Sequence, residues 1–208
     1  MKTILFQGDS ITDASRVRES DSSFNMGHGY PTITSGLLGA AYPGEYRFVN
    51  RGISGNRIVD VYARIKADII NLKPDIMSIL IGVNDVWHEL SFQNGVGTES
   101  YEKIYNLLID EICAALPEIK LIILEPFVLK GTATEEQWET FRFEVEQRAA
   151  AAKRVAEGHG LPFVALQKKF DDAEKLAPAS YWLIDGVHPT AAGHELISRE
   201  WIAAFKKL

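Results

Sequence analysis

A serine is inert as a nucleophile at neutral pH until a base takes its proton, and that base must be held in one tautomer by a third group. Two stretches of this chain carry such groups. In Gln7-Gly8-Asp9-Ser10-Ile11-Thr12-Asp13, a serine stands among acids at the far end of a small apolar run, Thr3 to Phe6. In Asp185-Gly186-Val187-His188-Pro189, the short separation lets one loop set the Asp185 carboxylate at Nδ1 of His188 while Nε2 faces Ser10, with Pro189 stiffening the exit. Attack by Ser10 on a carbonyl would create an oxyanion, which needs donors already aimed at it. The backbone N–H groups of Ser10 and Gly52 and the side-chain amide of Asn84, in Gly82-Val83-Asn84-Asp85, are the candidates.

Each of these residues also has a plainer reading. Ser10 could cap a strand-to-helix turn. Asp9 and Asp13 read as turn or supporting groups beside the substrate, since a capping carboxylate cannot also orient a distant imidazole. His194 is a rival base, but it falls a turn inside the last helix and away from the acid, so a structural role suits it better. His159, between glycines, reads as a surface residue at a helix end, while His28 and His88 lie in two long loops that could touch substrate. Trp87, Trp182, Tyr30, Phe24 and Phe127 could form flat walls for sugar rings or simply cover the sheet end. A metal cluster for phosphoester hydrolysis, drawn from Asp9, Asp13, Asn84, Asp85, Asp185 and His188, lacks any Asp-x-His, His-x-His or Glu-x-x-His anchor, so the spacing argues against a metal.

These residues need a scaffold that delivers them to one place. Thr3–Gln7, Tyr46–Asn50, Asp75–Ile81, Ile119–Glu125 and Pro162–Leu166 read as strands, the third a near-continuous apolar run of the kind buried on both faces. Helices are expected from Tyr30-Pro31 to Pro43-Gly44, from about Arg57 to Leu72, from a cap at Thr98 to Pro117, and from a Thr134 capping box to Gly158. Further helices are expected over 167–177 and 189–205. The runs 13–29 and 84–97 read as long loops, Arg51–Asn56 as a tight turn whose glycines let N–H groups face a ligand, and 178–187 as irregular. This alternation argues an α/β fold of three layers, α/β/α, in which a five-stranded parallel, doubly wound sheet has the order 2-1-3-4-5. Ligands bind outside the carboxyl ends of such strands, where Ser10, Gly52, Asn84 and Phe127 all follow directly.

A length of 208 residues suits a single domain over 1–208. With 28 acidic against 22 basic residues the net charge is −6, and the positive charges are spread thinly, so nucleic acid is not an expected partner. The amino terminus turns polar at Gln7 and no apolar run approaches membrane-span length, so a cytoplasmic protein without a membrane partner is expected. The single cysteine, Cys113, reads as a buried small hydrophobe. Self-association into a homo-oligomer is left open.

Taken together, Gly8-Asp9-Ser10, Gly52 within Gly-Ile-Ser-Gly-Asn, Asn84 within Gly-Val-Asn-Asp and Asp185-x-x-His188 resemble, in order and across almost the whole chain, the four blocks of the SGNH (GDSL-type) hydrolases. Thr12 stands where the family's name has leucine. The resemblance implies a three-layer hydrolase that works through an acyl-serine intermediate without a metal or organic cofactor. Arg51–Asn56, Gly82–Trp87 and Glu125–Phe127 are similar to the intracellular acetyl-xylan and acetyl-xylo-oligosaccharide esterases, which implies an oligosaccharide or other small ester as substrate. A general short-chain esterase, lysophospholipase or thioesterase of the same family and a non-catalytic carbohydrate-binding domain are the alternatives. On the carbohydrate reading Asp9, Tyr30, Trp87, His88, Phe127 and Trp182 are the candidate substrate contacts.

Overall fold

The structure is a computed structural model and describes residues 1–208, the Ser23 side chain excepted. In chain order its elements are β1 (Lys2–Gly8), α1 (Ser10–Asp13), α2 (Tyr30–Ala41), β2 (Tyr46–Asn50), α3 (Ile58–Ala63), α4 (Ile65–Asp68), β3 (Ile76–Leu80), α5 (Val83–Phe92) and α6 (Thr98–Ala115). They continue with β4 (Lys120–Leu124), α7 (Trp138–Gly158), β5 (Phe163–Val164), α8 (Gln167–Glu174), α9 (Ala179–Trp182) and α10 (Ala191–Phe205). All strand pairs are parallel, as the alternation of elements predicts, and the order is β2-β1-β3-β4-β5, the one expected of a five-stranded doubly wound sheet.

Both faces of the sheet are covered, and the period-two alternation of each strand divides its side chains between two cores. Ile4, Phe6, Ile122 and Leu124 pack with Tyr30 and Leu38 of α2, Phe170 of α8, and Ile197 and Trp201 of α10. Leu5, Met77, Ile79, Leu121 and Ile123 pack with Ile58 and Val61 of α3, Tyr101 to Ile112 of α6, and Ala151 to Ala156 of α7. Cys113 is half-buried against this second core rather than fully inside it, and burial raises its thiol pKa.

Several local expectations differ from the structure. Residues 84–97 are not a loop throughout: α5 runs from Val83 to Phe92, started by Gly82 at φ 138° and stopped by Gln93 at φ 52°. Its buried side is built from Val83, Asn84, Asp85 and Val86, so polar residues face inward and conceal the helical period. The helix expected from Arg57 breaks at Arg64, whose guanidinium turns back to the Arg51 carbonyl and to the Asn56 and Gln7 side chains. Thr98 begins α6 but makes no cap bond, the cap position falling on Gly97. Thr134 does not close a capping box either; its hydroxyl accepts from the Gly131 N–H and donates to the Leu129 carbonyl. The stretch 178–187 contains the short α9.

Candidate active site

β1, β2 and β3 end at one edge, and the groups singled out by type are gathered there. β1 hands the chain to α1 within one residue. A side chain on Gly8 would collide with the Leu80 carbonyl and Thr12, so only glycine lets the turn close. Asp9 caps α1 by accepting the Ile11 N–H at 3.0 Å, which leaves Ser10 at the first helical position, only partly buried.

Ser10 Oγ lies 3.0 Å from His188 Nε2, and His188 Nδ1 lies 2.7 Å from Asp185 Oδ2. The other Asp185 oxygen accepts the N–H groups of Val187 and His188, at 2.9 and 2.8 Å. Burial opposes the Asp185 charge, but these bonds outweigh it and bring the carboxyl down to about 2. The same bond from Asp185 raises the His188 pKa above its ordinary value despite partial burial. The loop is braced from behind: Leu129 N–H donates to the Gly186 carbonyl and Ala133 N–H to the Asp185 carbonyl. A side chain on Gly131 would strike the Asp185 backbone.

A cavity of about 340 Å³ opens over Ser10 and is lined by Ser54, Gly55, Asn84, Trp87, His88, Phe92 and His188. Trp87 packs against the His188 ring at 5.8 Å and Phe141 at 6.0 Å between centroids. Burial, and next the Arg57 guanidinium, lower the His88 pKa, favouring a neutral ring with one donor and one acceptor nitrogen.

Gly52, expected as an oxyanion donor, is displaced from that part by its own bonding. Its N–H donates to Asn50 Oδ1 at 2.9 Å, and its backbone is pressed against Thr12 and Asp13. Gly55 takes the lining position instead, with φ at 81°. Neither the Gly55 N–H nor the Ser10 N–H has a hydrogen-bond partner among the described residues. Asn84 Nδ2 donates one bond, to the Asn56 carbonyl at 3.1 Å, and keeps a second N–H. Gly55, the second glycine of Gly-Ile-Ser-Gly-Asn, is not singled out by type; Asn50, two residues before Gly52, is what decides between the two glycines.

Of the expected substrate contacts, Trp87 and His88 line the cavity and four others do not. Tyr30 is fully buried, with its hydroxyl 3.1 Å from Thr12 Oγ1 and its ring edge-on to Phe6. Phe127 is buried and stacks on Phe170 at 4.3 Å. Asp9 is buried beneath the turn, where burial raises its carboxyl to about 7. Trp182 donates its indole N–H to the Ala177 carbonyl and faces a separate cavity with Leu176, Tyr181 and Leu196. Asp9, Tyr30 and Phe127 are large or capping residues that the interior claims before a ligand can, whereas Trp182 is half-buried and set away from Ser10. Phe24 is 94% exposed and also lies outside the cavity lining. His28 packs edge-on to His194 at 6.4 Å. His194 is buried, accepts the Tyr30 N–H through Nδ1 at 3.1 Å, and is lowered to about 4 by burial, so it caps α2.

Two supporting residues escaped the reading by type. Asn50 is 4% exposed; it donates to the Thr12 and Met26 carbonyls at 2.6 and 2.9 Å while accepting from Gly52. Phe92 joins the cavity wall from the last turn of α5. Among the described residues no group of three or more His, Cys, Asp or Glu is arranged to hold a metal ion, and no helix is long and apolar enough to cross a membrane.

The chain is similar to known proteins over almost its whole length. Residues 6–196 match the model of a family described as GDSL-like Lipase/Acylhydrolase. The chain is 39% identical over 209 residues to an acetylxylan esterase of Geobacillus stearothermophilus, covering 96% of this chain and 91% of the relative. The crystal structure of Axe2, an acetylxylan esterase from that organism, superposes with a TM-score of 0.88 at 36% identity, over 98% of this chain and 93% of the other. A structure from Parabacteroides merdae ATCC 43184, described as a GDSL-like lipase, reaches a TM-score of 0.94 at 37% identity, over 99% and 95% of the two chains.

Proposed function

The chain belongs to the GDSL-like lipase/acylhydrolase family and is a carboxylic ester hydrolase, and from that premise we propose that it removes acetyl groups from xylo-oligosaccharides through an acetyl-Ser10 intermediate. The observation that carries the reading is the hydrogen-bonded line Ser10–His188–Asp185, 3.0 and 2.7 Å, opening into the cavity. Ser10 Oγ attacks the acetyl carbon as its proton passes to His188 Nε2. The oxyanion is met by the N–H groups of Ser10 and Gly55 and the free amide N–H of Asn84. The bond from the acetyl carbon to the sugar oxygen then breaks, and His188 gives that oxygen the proton. Water repeats the sequence: His188 takes its proton, the hydroxide adds to the acetyl carbon, the bond to Ser10 breaks, and Oγ recovers the proton as acetate leaves.

The substrate assignment draws on two further observations. The relative at 39% identity is an acetylxylan esterase. The wall of the cavity sets Trp87 and Phe92 beside His88 and Ser54, so an apolar face adjoins hydrogen-bonding groups. A pyranose has the complementary character, apolar C–H faces edged by hydroxyls.

The test is an acyl series of p-nitrophenyl esters, acetyl to decanoyl, run beside acetylated xylobiose with the unmodified protein and Ser10→Ala. Acetyl turnover that Ser10→Ala reduces by about 10⁴ or more supports the nucleophile. A variant keeping more than a tenth of the activity would sink it. Preference for octanoyl over acetyl would replace the carbohydrate reading with a general esterase or lysophospholipase.

A further inference from the structure

The donors assigned above to the oxyanion come from separate parts of the chain. Gly55 lies on the turn between β2 and α3, and Asn84 in the first turn of α5. A donor helps only if it is aimed before the charge forms, so the two parts must be held in register. Consecutive residues of α5 grip two points of the segment that leads from the turn into α3. Asn84 Nδ2 donates to the Asn56 carbonyl at 3.1 Å, and the Asp85 carboxylate accepts the Ile58 N–H through both oxygens, at 3.1 and 3.2 Å. The first bond alone leaves the turn a pivot. The second, two residues further on, removes the rotation that would swing the Gly55 N–H away from Asn84.

We propose that Asp85 is a positioning residue for this hydrolysis, holding the Gly55 turn and the Asn84 amide at a fixed separation around the oxyanion. The inference rests on the reading of Gly55 and Asn84 as its donors. Asp85 is itself held from several sides. It is fully buried, and its carbonyl accepts the Val96 N–H at 2.9 Å. The Val96 carbonyl in turn takes Arg148 Nε and Nη2, at 3.2 and 2.9 Å. The approach of Gly95 to the Asp85 carbonyl leaves no room for a side chain, so the support is closed on that side too. Burying a carboxyl in this way is unfavourable, and the Asp85 pKa is correspondingly pushed up to about 7. A hydrogen-bond acceptor of the same shape without the charge is therefore a fair replacement.

The experiment measures kcat and KM for p-nitrophenyl acetate with Asp85→Ala and Asp85→Asn, each alone and with Asn84→Ala, with folding followed by circular dichroism. Asp85→Ala is expected to lower kcat by roughly 10–100-fold, part of the effect of losing one oxyanion donor, with KM within about threefold. Asp85→Asn, which keeps an acceptor for the Ile58 N–H, is expected to recover most of that loss. On top of Asn84→Ala, the further loss from Asp85→Ala should shrink to about threefold or less, because the amide it holds is gone. A merely structural residue would lower stability without this kcat pattern. If Asp85→Ala does not fold, Asp85→Ser, whose hydroxyl is one bond too short to reach, takes its place with the same expectation. Losses that multiply independently in the double variant, or an equal loss in Asp85→Asn and Asp85→Ala, would overturn the inference while leaving the esterase reading intact. Failure of the unmodified protein to turn over any acetyl ester would overturn both.

Discussion

The two halves of the site are held in opposite ways. Ser10, Gly55 and Asn84 stand over buried polar side chains, Asn50, Asp13 and Asp85, each of which bonds the backbone of a neighbouring segment. Asp185 and His188 ride a loop, and the His188 side chain is 38% exposed. The contrast follows from what each half is asked to do. Donors for an oxyanion contribute only if they need no reorganisation as the charge appears, so they are fixed from below. A base that takes a proton from serine, passes it to a leaving oxygen and later takes one from water needs an open side. Its orientation is held by Asp185 rather than by enclosure.

The sharpest break in the open half is Asp185→Asn. It keeps the shape but removes the charge that selects the His188 tautomer, and kcat should fall by about 10⁴. The pH profile gives an independent reading. His188 acts as a base only when neutral, and its bond to Asp185 raises its pKa. Activity should therefore rise with pH along a limb lying above the ordinary histidine value. In Asp185→Asn the limb of the residual activity should move to lower pH, since the neutral amide no longer favours the imidazolium. An unmoved limb would mean that another group sets it.

The fixed half is broken most directly by Asn84→Ala, which should cost roughly 10²–10³ in kcat, about 2.7–4 kcal/mol, with little change in KM or in thermal midpoint. An intact rate would show that the amide serves only the Asn56 carbonyl. Asn50→Ala tests the layer below. It strips partners from the Thr12 and Met26 carbonyls and from the Gly52 N–H, so the unfolding free energy should drop by roughly 1–3 kcal/mol. Urea unfolding with an unchanged midpoint would remove Asn50 from the support of the site.

The same contrast explains what could be read from the sequence. Asp185 and His188 are neighbours in the chain, and their partnership needs only one short loop, so spacing revealed it. Apolar runs such as Ile76–Leu80, buried on both faces, marked the strands of a parallel sheet, and their order came from the doubly wound class that five such strands fit. The fixed half depends on contacts between distant segments, which local pattern does not carry. Gly52 and Gly55 are indistinguishable by type until Asn50 is seen to occupy the first. Asn84 and Asp85 looked like loop residues because their inward faces are polar for the sake of the neighbouring turn. Tyr30 and Phe127 looked like ligand walls because an aromatic at a strand or helix end can serve a pocket or the core, and only packing decides.

The smallest expected effect lies where the halves meet. Trp87 is borne by α5, on the fixed side, yet its ring packs against His188 on the open side. It could therefore act through the base or through the substrate. A sugar stacked on the indole would lose roughly 1 kcal/mol on truncation, about fivefold in KM, whereas p-nitrophenyl acetate presents no pyranose to stack. Trp87→Ala should raise KM for an acetylated xylo-oligosaccharide by that factor and leave KM for p-nitrophenyl acetate within about twofold. If the indole mainly steadies His188, kcat falls on both substrates by the same ratio and the KM values stay put. Equal losses would thus assign Trp87 to the catalytic base and remove the main aromatic support for a carbohydrate substrate.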